Sequence, residues 1–489
     1  MQLHWLARGL FLAVLGVAAG LGHAPIDWPV ATIAALSILF WIHRLVCDQR
    51  TALWHGWAFG VGYFAFTVRW IISPFLVHVD EDGWMAPFAL ILMASGMALY
   101  FMAASGVAHR IRPRSAVMFA FGIVAFEVVR ALALTGFPWA LLGHVLVETP
   151  FAQIAAYGGH FTLTAFVCLA ALALMNLFDR QRILGGVFCV VATGLGFALQ
   201  IGPVPVIDPD APMVRLVQPN APQDKKWDPD YSGVYFNRML EFTGQGEVPD
   251  LVVWPESAIP DLLNYADDKL AQISDAARGA PVIVGVNRRE GQRYYNSLVL
   301  LGRGGVVERL YDKQHLVPFG EYIPGGELIG DVGLGNFGAS TGGGFSSGTT
   351  SRIMDVPGIG AIRPLICYEG IFANEIGADT RPRTMILITN DAWNGKDAGP
   401  LQHLAQARLR AIEQGMPMVR VANTGVSALI DAQGRLHGMI GMDTAGYLDL
   451  PLPPLALPTV YSLSGDWPFY TLLFLSLAAF LGFKRRETL

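Results

Sequence analysis

A thiol, a carboxylate and an amine, each placed where an apolar run gives way to polar residues, are the groups of this sequence best suited to covalent chemistry. Cys367 follows Arg363-Pro364-Leu365-Ile366 and precedes Tyr368 and Glu369. Glu256 follows Leu251-Val252-Val253-Trp254-Pro255, and Lys313 follows Arg309-Leu310-Tyr311-Asp312. A thiol attacks a carbonyl readily when a base takes its proton and a nearby positive charge favours the anion. Taken singly, each residue also fits a plainer part: a buried structural cysteine, a carboxylate in a solvated loop, a lysine on the surface. The set and its setting carry the chemical reading. Of the other cysteines, Cys168 and Cys189 lie in long apolar segments and Cys47 at the edge of one. Four cysteines are too few for a disulfide framework, and Cys367 has no partner within its own segment.

The elements that must position these groups are strands and helices in alternation. Short β-branched runs bounded by turn residues begin at Met213, Asp250, Pro281, Asn296, Val306, Met385 and Pro417, with helix-length stretches at Pro260 to Gly279 and Gly399 to Gly415. Strands interleaved with helices indicate an α/β domain around a buried sheet. The end of a strand is where such folds place reactive groups. A Gly-rich stretch from Gly325 to Gly348, with Phe337 and Phe345 embedded in it, is expected to be a mobile loop.

This α/β segment is only part of the chain. Of 489 residues, 53% are hydrophobic and 15% charged, against about a quarter charged in soluble proteins; lipid must solvate much of the remainder. The net charge of −5 gives no reason to expect nucleic acid as a partner. Spans of roughly 20 apolar residues are predicted near 4–22, 27–46, 52–72, 86–108, 116–134, 151–177, 183–202 and 467–483. The first reads as a signal anchor, because other spans follow it at once. Arg8, Arg44, Arg50, Arg110, Arg112, Arg114, Arg180, Arg182, Lys484, Arg485 and Arg486 fall on one side of this arrangement. The short loops on the other side contain no Lys or Arg. The positive-inside rule then puts both termini in the cytoplasm. The expected domains are a seven-helix membrane domain over 1–202, an extracytoplasmic catalytic domain over 203–465, and a last span with a cytoplasmic tail over 466–489. Trp28, Trp84, Trp139 and Trp467 sit near span ends, as an aromatic belt would.

Three segments carry a family resemblance. Trp254 to Pro260 (WPESAIP), Tyr311 to Pro324 (YDKQHLVPFGEYIP) and Ile366 to Gly370 (ICYEG) resemble the catalytic segments of the carbon–nitrogen hydrolase, or nitrilase, superfamily. The multi-span N-terminal half, the final span and Thr135 to Trp139 (TGFPW) resemble its membrane branch, the apolipoprotein N-acyltransferases of bacterial lipoprotein maturation. Gln218 to Trp227 (QPNAPQDKKW), Thr389 to Gly395 (TNDAWNG) and Ala422 to Ala428 (ANTGVSA) match as well; Asn394 departs from the aromatic expected there.

The resemblance implies a nitrilase-like α–β–β–α sandwich joined to membrane helices in a bacterial inner membrane. It implies Glu256 as general base, Lys313 as stabiliser of the tetrahedral intermediate and Cys367 as nucleophile, with Glu321, Tyr368 and Glu369 as auxiliary residues. The reaction implied moves a fatty acyl chain from a phospholipid, through a thioester on Cys367, to the N-terminal amine of a diacylglyceryl apolipoprotein. The partners expected are those two substrates and the bilayer, with the chain a monomer. Trp227, Trp393, Arg130 and Phe337 are candidate substrate contacts. Arg130 lies three residues from Glu127 in an apolar segment, so it either binds a headgroup or pairs with Glu127 to lock helices together. The Gly325 to Gly348 loop is expected either to gate lipid entry or to be a plain surface loop. No cofactor is expected, and no metal: the eleven histidines show no ligand spacing. Two other readings remain open, a membrane-tethered amidase that gives its thioester to water and a scaffold with an inactive domain.

Overall fold

The structure, a computed structural model, describes residues 2–179, 182–200, 207–324, 344–377 and 380–487. The chain divides into two compact units, one of 1–204, 397–405 and 458–489, the other of 205–396 and 406–457.

The second unit is built on two six-stranded sheets. One has the order β12-β1-β2-β3-β4-β5, from β1 (Met213–Gln218), β2 (Leu251–Val253), β3 (Val282–Glu290), β4 (Arg293–Leu301), β5 (Val307–Asp312) and β12 (Gly446–Pro451). The other has the order β11-β10-β9-β8-β7-β6, from β6 (Met354–Val356), β7 (Gly360–Ile366), β8 (Thr384–Thr389), β9 (Met418–Ala422), β10 (Ser427–Ile430) and β11 (Leu436–Ile440). Three central strands of each sheet run parallel, β1-β2-β3 and β7-β8-β9, while the flanking strands pair antiparallel. Parallel strands need crossovers, and helices Pro229–Gly244, Asp267–Ala276 and Ala398–Gln414 lie in those connections.

The near-continuous apolar runs of these strands are buried on both faces, as parallel central strands require. Leu216, Val253, Ile283 and Leu298 from one sheet share a core with Ile366, Ile388, Val421 and Leu429 from the other. The opposite face of the first sheet, with Val252, Val284 and Val299, packs on Phe236 and Met239 of one helix and Leu270 and Ile273 of another. Sheet faces sheet, with helices on the outer face of the first. The mixed α/β architecture read from the sequence is the one observed, with a carbon–nitrogen hydrolase-like fold.

The first unit is helical. Gln2–Gly20, Pro29–Leu45, Gln49–Thr67, Ala86–Ile111, Ala116–Leu132, Ala155–Leu177, Arg182–Gln200 and Trp467–Glu487 coincide with the eight apolar segments. By length and apolarity, Val79–Ile111, Pro150–Leu177 and Arg182–Leu199 suffice to cross a bilayer. Gln49–Thr67 with Arg69–Leu76, bent by 48°, makes a fourth if the pair is one span, and Trp5–Gly20, Pro29–Leu45 and Trp467–Ala479 are apolar but shorter. Helices approach closely over small residues, as in bilayer bundles: a Cβ on Gly62 would stand 1.8 Å from the Ala13 oxygen.

Arg130 and Glu127 sit inside this unit, both almost wholly buried. The Arg130 guanidinium donates to the carbonyls of Phe137 (2.8 Å), Trp139 (2.6 Å) and Ala140 (3.3 Å), and stands 3.6 Å from Glu127. Glu127 accepts the Leu142 amide at 3.0 Å and the Thr164 hydroxyl at 2.7 Å. The pair thus holds the turn containing TGFPW. Trp139, on that turn, donates its indole proton to Gln402 at 2.7 Å. Arg69 pairs with Asp397, and His144 is buried.

Candidate active site

Each of the three reactive groups leaves the carboxyl end of a strand: Glu256 beyond β2, Lys313 beyond β5 and Cys367 beyond β7. Two of these turns are conformationally demanding. Cys367 has φ 49° and Ser257, next to Glu256, has φ 47°, left-handed values that non-glycine residues adopt only when the surroundings hold them there. β3 passes so close to the Glu256 turn that a Cβ on Gly285 would stand 2.6 Å from Glu256 Cα, the Pro255 oxygen and the Ser257 nitrogen. Only a residue without a side chain lets Glu256 sit at that depth.

Glu256 is buried, with its carboxylate held from both sheets. Asn296 of β4 donates Nδ2 to Oε1 at 2.7 Å, and the Asn390 amide, just beyond β8, donates to Oε2 at 2.7 Å. Lys313 Nζ lies 3.7 Å from the same Oε1 and 2.8 Å from Glu321 Oε1. Glu321 is itself fixed by the Val317 amide at 2.8 Å. Lys313 is buried, which works against its charge, but Glu321 and Glu256 outweigh that and hold its pKa above the ordinary lysine value. It remains an ammonium ion.

The Cys367 thiol is electrostatically coupled to both groups. Burial pushes its pKa up, Glu256 pushes it further, and Lys313 pulls it back only in part. The raised pKa favours the protonated thiol over a preformed thiolate. Behind it, the Thr389 hydroxyl contacts the sulfur and donates to Asp391 at 2.9 Å, and Asp391 is paired with buried Arg420 at 2.6 Å.

Glu369 and Tyr368 frame Cys367 differently. The Glu369 carboxylate accepts the Tyr311 hydroxyl, the Gln314 amide and the Ile366 amide, each at 2.7 Å. It ties the ends of β5 and β7 together, and burial raises its pKa. Tyr368 packs edge-on against Phe372 and His315. Trp227 and Trp393 are each 43% exposed. Phe337 and residues 325–343 of the Gly-rich loop lie outside the described residues.

Asn296, Asn390 and Lys226 stand in the site without having been singled out from the sequence. Lys226 Nζ donates to the Glu256 main-chain oxygen at 3.0 Å. Burial lowers its pKa to about 8, against the opposing pull of Glu256 and Cys367. Its one local signal was its place in the QPNAPQDKKW segment.

A carboxylate, an ammonium and a cysteine at the strand ends of a double-sheet sandwich define this unit as a carbon–nitrogen hydrolase domain, and the carbon–nitrogen hydrolase family model matches residues 214–453. Residues 15–173 match the apolipoprotein N-acyltransferase N-terminal domain. The chain belongs to the apolipoprotein N-acyltransferase family and is an acyltransferase. It is 35% identical to the apolipoprotein N-acyltransferase of Brucella melitensis over 91% of this chain and 90% of that protein. It is 33% identical to that of Rhodopseudomonas palustris over 98% and 95%. Among solved structures, the superfamily protein XC1258 from Xanthomonas campestris is 22% identical, with a TM-score of 0.34 over 49% of this chain and 89% of that one.

Proposed function

We propose that this protein transfers a fatty acyl chain from a phospholipid to the N-terminal α-amine of a diacylglyceryl-cysteine apolipoprotein, through a thioester on Cys367. The observation that carries the reading is the shared environment of Glu256, Lys313 and Cys367, with the ammonium 3.7 Å from the carboxylate and both coupled to the sulfur.

In the first half-reaction Cys367 Sγ bonds to the ester carbonyl carbon as its proton passes to Glu256. The raised thiol pKa makes this transfer part of the attack. The carbonyl oxygen becomes an oxyanion, and the Lys313 ammonium stabilises it in a site of low dielectric. The carbon–oxygen bond then breaks, the glycerol oxygen takes the proton from Glu256, and a lysophospholipid leaves. In the second half-reaction the acceptor amine, with a pKa near 8, attacks as the neutral form. Glu256 takes one of its protons, the carbon–sulfur bond breaks, and the proton returns to sulfur. The product is an amide, with ping-pong kinetics. No cofactor enters either half.

The apolar helices support a setting in which both substrates stay anchored in lipid, each buried methylene being worth about 0.8 kcal/mol. The arginine distribution supports cytoplasmic termini and a periplasmic catalytic domain in a bacterial inner membrane. The working unit in this reading is a monomer, with Trp227 and Trp393 as substrate contacts.

Intact-mass measurement after exposure to phospholipid tests the reading. An acyl adduct is expected on the wild type and absent from Cys367→Ala, and a diacylglyceryl peptide should discharge it as the amide. Rapid loss of the adduct to water in the presence of the peptide would identify a hydrolase instead. An adduct that survives in Cys367→Ala would remove the assignment of the nucleophile.

A further inference from the structure

Among the described residues no carboxylate pairs with the buried cation Lys226. It is 7% exposed, and its one hydrogen bond among those residues goes to the main-chain oxygen of Glu256. An ammonium carries three N–H donors, so two remain. Lys313, by comparison, is matched by the Glu321 carboxylate at 2.8 Å. The Glu256 carboxylate is already occupied by Asn296 and Asn390 and faces Lys313. Burying a charge without a counter-charge is costly, and burial does lower the Lys226 pKa to about 8.

The spare donors have a place to go. Lys226 lines a shallow cleft together with Trp227, Tyr235, Pro255, Ser257 and Asn423. Pro255 and Ser257 flank Glu256, so the cleft adjoins the reaction centre, and the Lys226 charge is felt at both Glu256 and Cys367. Trp227 is only half-buried, and its ring lies 5.3 Å from Nζ.

We propose that this cleft is an anion subsite that takes the phosphodiester of the acyl donor, with Lys226 Nζ as its charge partner and Trp227 beside it. The inference rests on the acyl-transfer reading for the identity of the donor. In a glycerophospholipid only the glycerol carbons and their oxygens separate the ester carbonyl from the phosphate. A donor whose carbonyl meets Cys367 therefore carries its phosphate into the immediate neighbourhood of the sulfur. A phosphate there gives Lys226 the counter-charge it lacks, through charge-assisted hydrogen bonds.

The test compares two acyl donors on the full-length protein in detergent, following the adduct on Cys367 by mass. With phosphatidylethanolamine, Lys226→Met is expected to slow adduct formation by roughly tenfold or more, the loss of a charged hydrogen bond. With a phosphate-free donor, a p-nitrophenyl fatty ester, the same variant should lose at least fivefold less than it does with the phospholipid, because only its tether to the Glu256 main chain is then missing. Lys226→Arg should recover part of the phospholipid rate. Equal loss with both donors would mean that Lys226 only tethers the Glu256 backbone, and loss with neither would remove it from the site; either overturns the proposal.

A second arm needs no acyl transfer. Glycerophosphoethanolamine should slow alkylation of Cys367 by iodoacetamide in wild type but not in Lys226→Met. Equal protection by inorganic phosphate at the same concentration would overturn the headgroup assignment in favour of a free anion. Protection without any adduct from either donor would defeat the acyl-transfer reading while leaving the anion site standing. Absence of protection would defeat the anion site itself.

Discussion

Tyr311 donates its phenolic proton to Glu369 at 2.7 Å, and through that contact the strand that leads to Lys313 is joined to the strand that leads to Cys367. The two strands belong to different sheets. The same carboxylate takes the Gln314 and Ile366 amides, so these three donors meet at one buried side chain. Glu369→Ala should leave three donors unsatisfied, each at a cost of about 1–3 kcal/mol, and should lower the unfolding midpoint markedly. Tyr311→Phe removes one donor and should cost about 1 kcal/mol. Thermal unfolding in detergent checks both.

Glu256→Gln separates two effects of one carboxylate. As proposed base, its loss should reduce turnover by roughly 10²-fold or more. Yet the charge of Glu256 is, after burial, the main influence raising the Cys367 pKa. Removing that charge must lower the thiol pKa. The variant should therefore be alkylated by iodoacetamide at lower pH than wild type, while failing to turn over. A pH profile of alkylation that does not move would count against the coupling.

Lys313→Met tests the cation from the opposite side. Without it, the Glu256 and Glu321 carboxylates lose the ammonium they share. Breaking a buried ion pair by removing one partner costs on the order of 3–5 kcal/mol. Lys313→Met should be inactive and destabilised, as its unfolding midpoint in detergent would record.

Gly285→Ala is the smallest change that should disable the site. The added methyl would stand 2.6 Å from backbone atoms of Pro255, Glu256 and Ser257. Backbone cannot rotate away as a side chain can, so the turn must shift. Overpacking of this kind costs about 1–3 kcal/mol, and a displaced base should lower kcat more than it raises KM.

Arg130→Met addresses a residue for which the sequence left two roles open. Its guanidinium is spent on the carbonyls of Phe137, Trp139 and Ala140. The substitution leaves those carbonyls and the buried Glu127 carboxylate without their cation. A loss on the order of 3–5 kcal/mol follows, read as a lower unfolding midpoint.

Much of the sandwich was legible because its strands are short β-branched runs closed by turn residues, and period and punctuation are local signals. Glu256, Lys313 and Cys367 stood out as polar groups at the ends of such runs. Asn296 and Asn390 did not. Each reaches Glu256 across a large sequence separation, and nothing in the residues around Asn296 distinguishes an asparagine that holds a base from one that ends a turn. Lys226 was hidden for a related reason: a lysine beside another lysine reads as surface charge until folding buries it. The pairing of Arg130 with Glu127 was visible as spacing, whereas the carbonyls it serves were not, because a loop's path is not written in periodicity. The helices presented a similar limit, since apolar composition locates them but where each one ends depends on local turns.

Because Asn296 and Asn390 grip Glu256 from opposite sheets, the proposed base is also a gauge of how well the two halves of the sandwich are seated. A slip of one sheet over the other would pull away one of those anchors before the hydrophobic core came apart. A poorly assembled molecule would then fall silent and not become a leaky esterase loose among lipids. If Glu256 is the base proposed here, catalytic competence and correct assembly become a single condition.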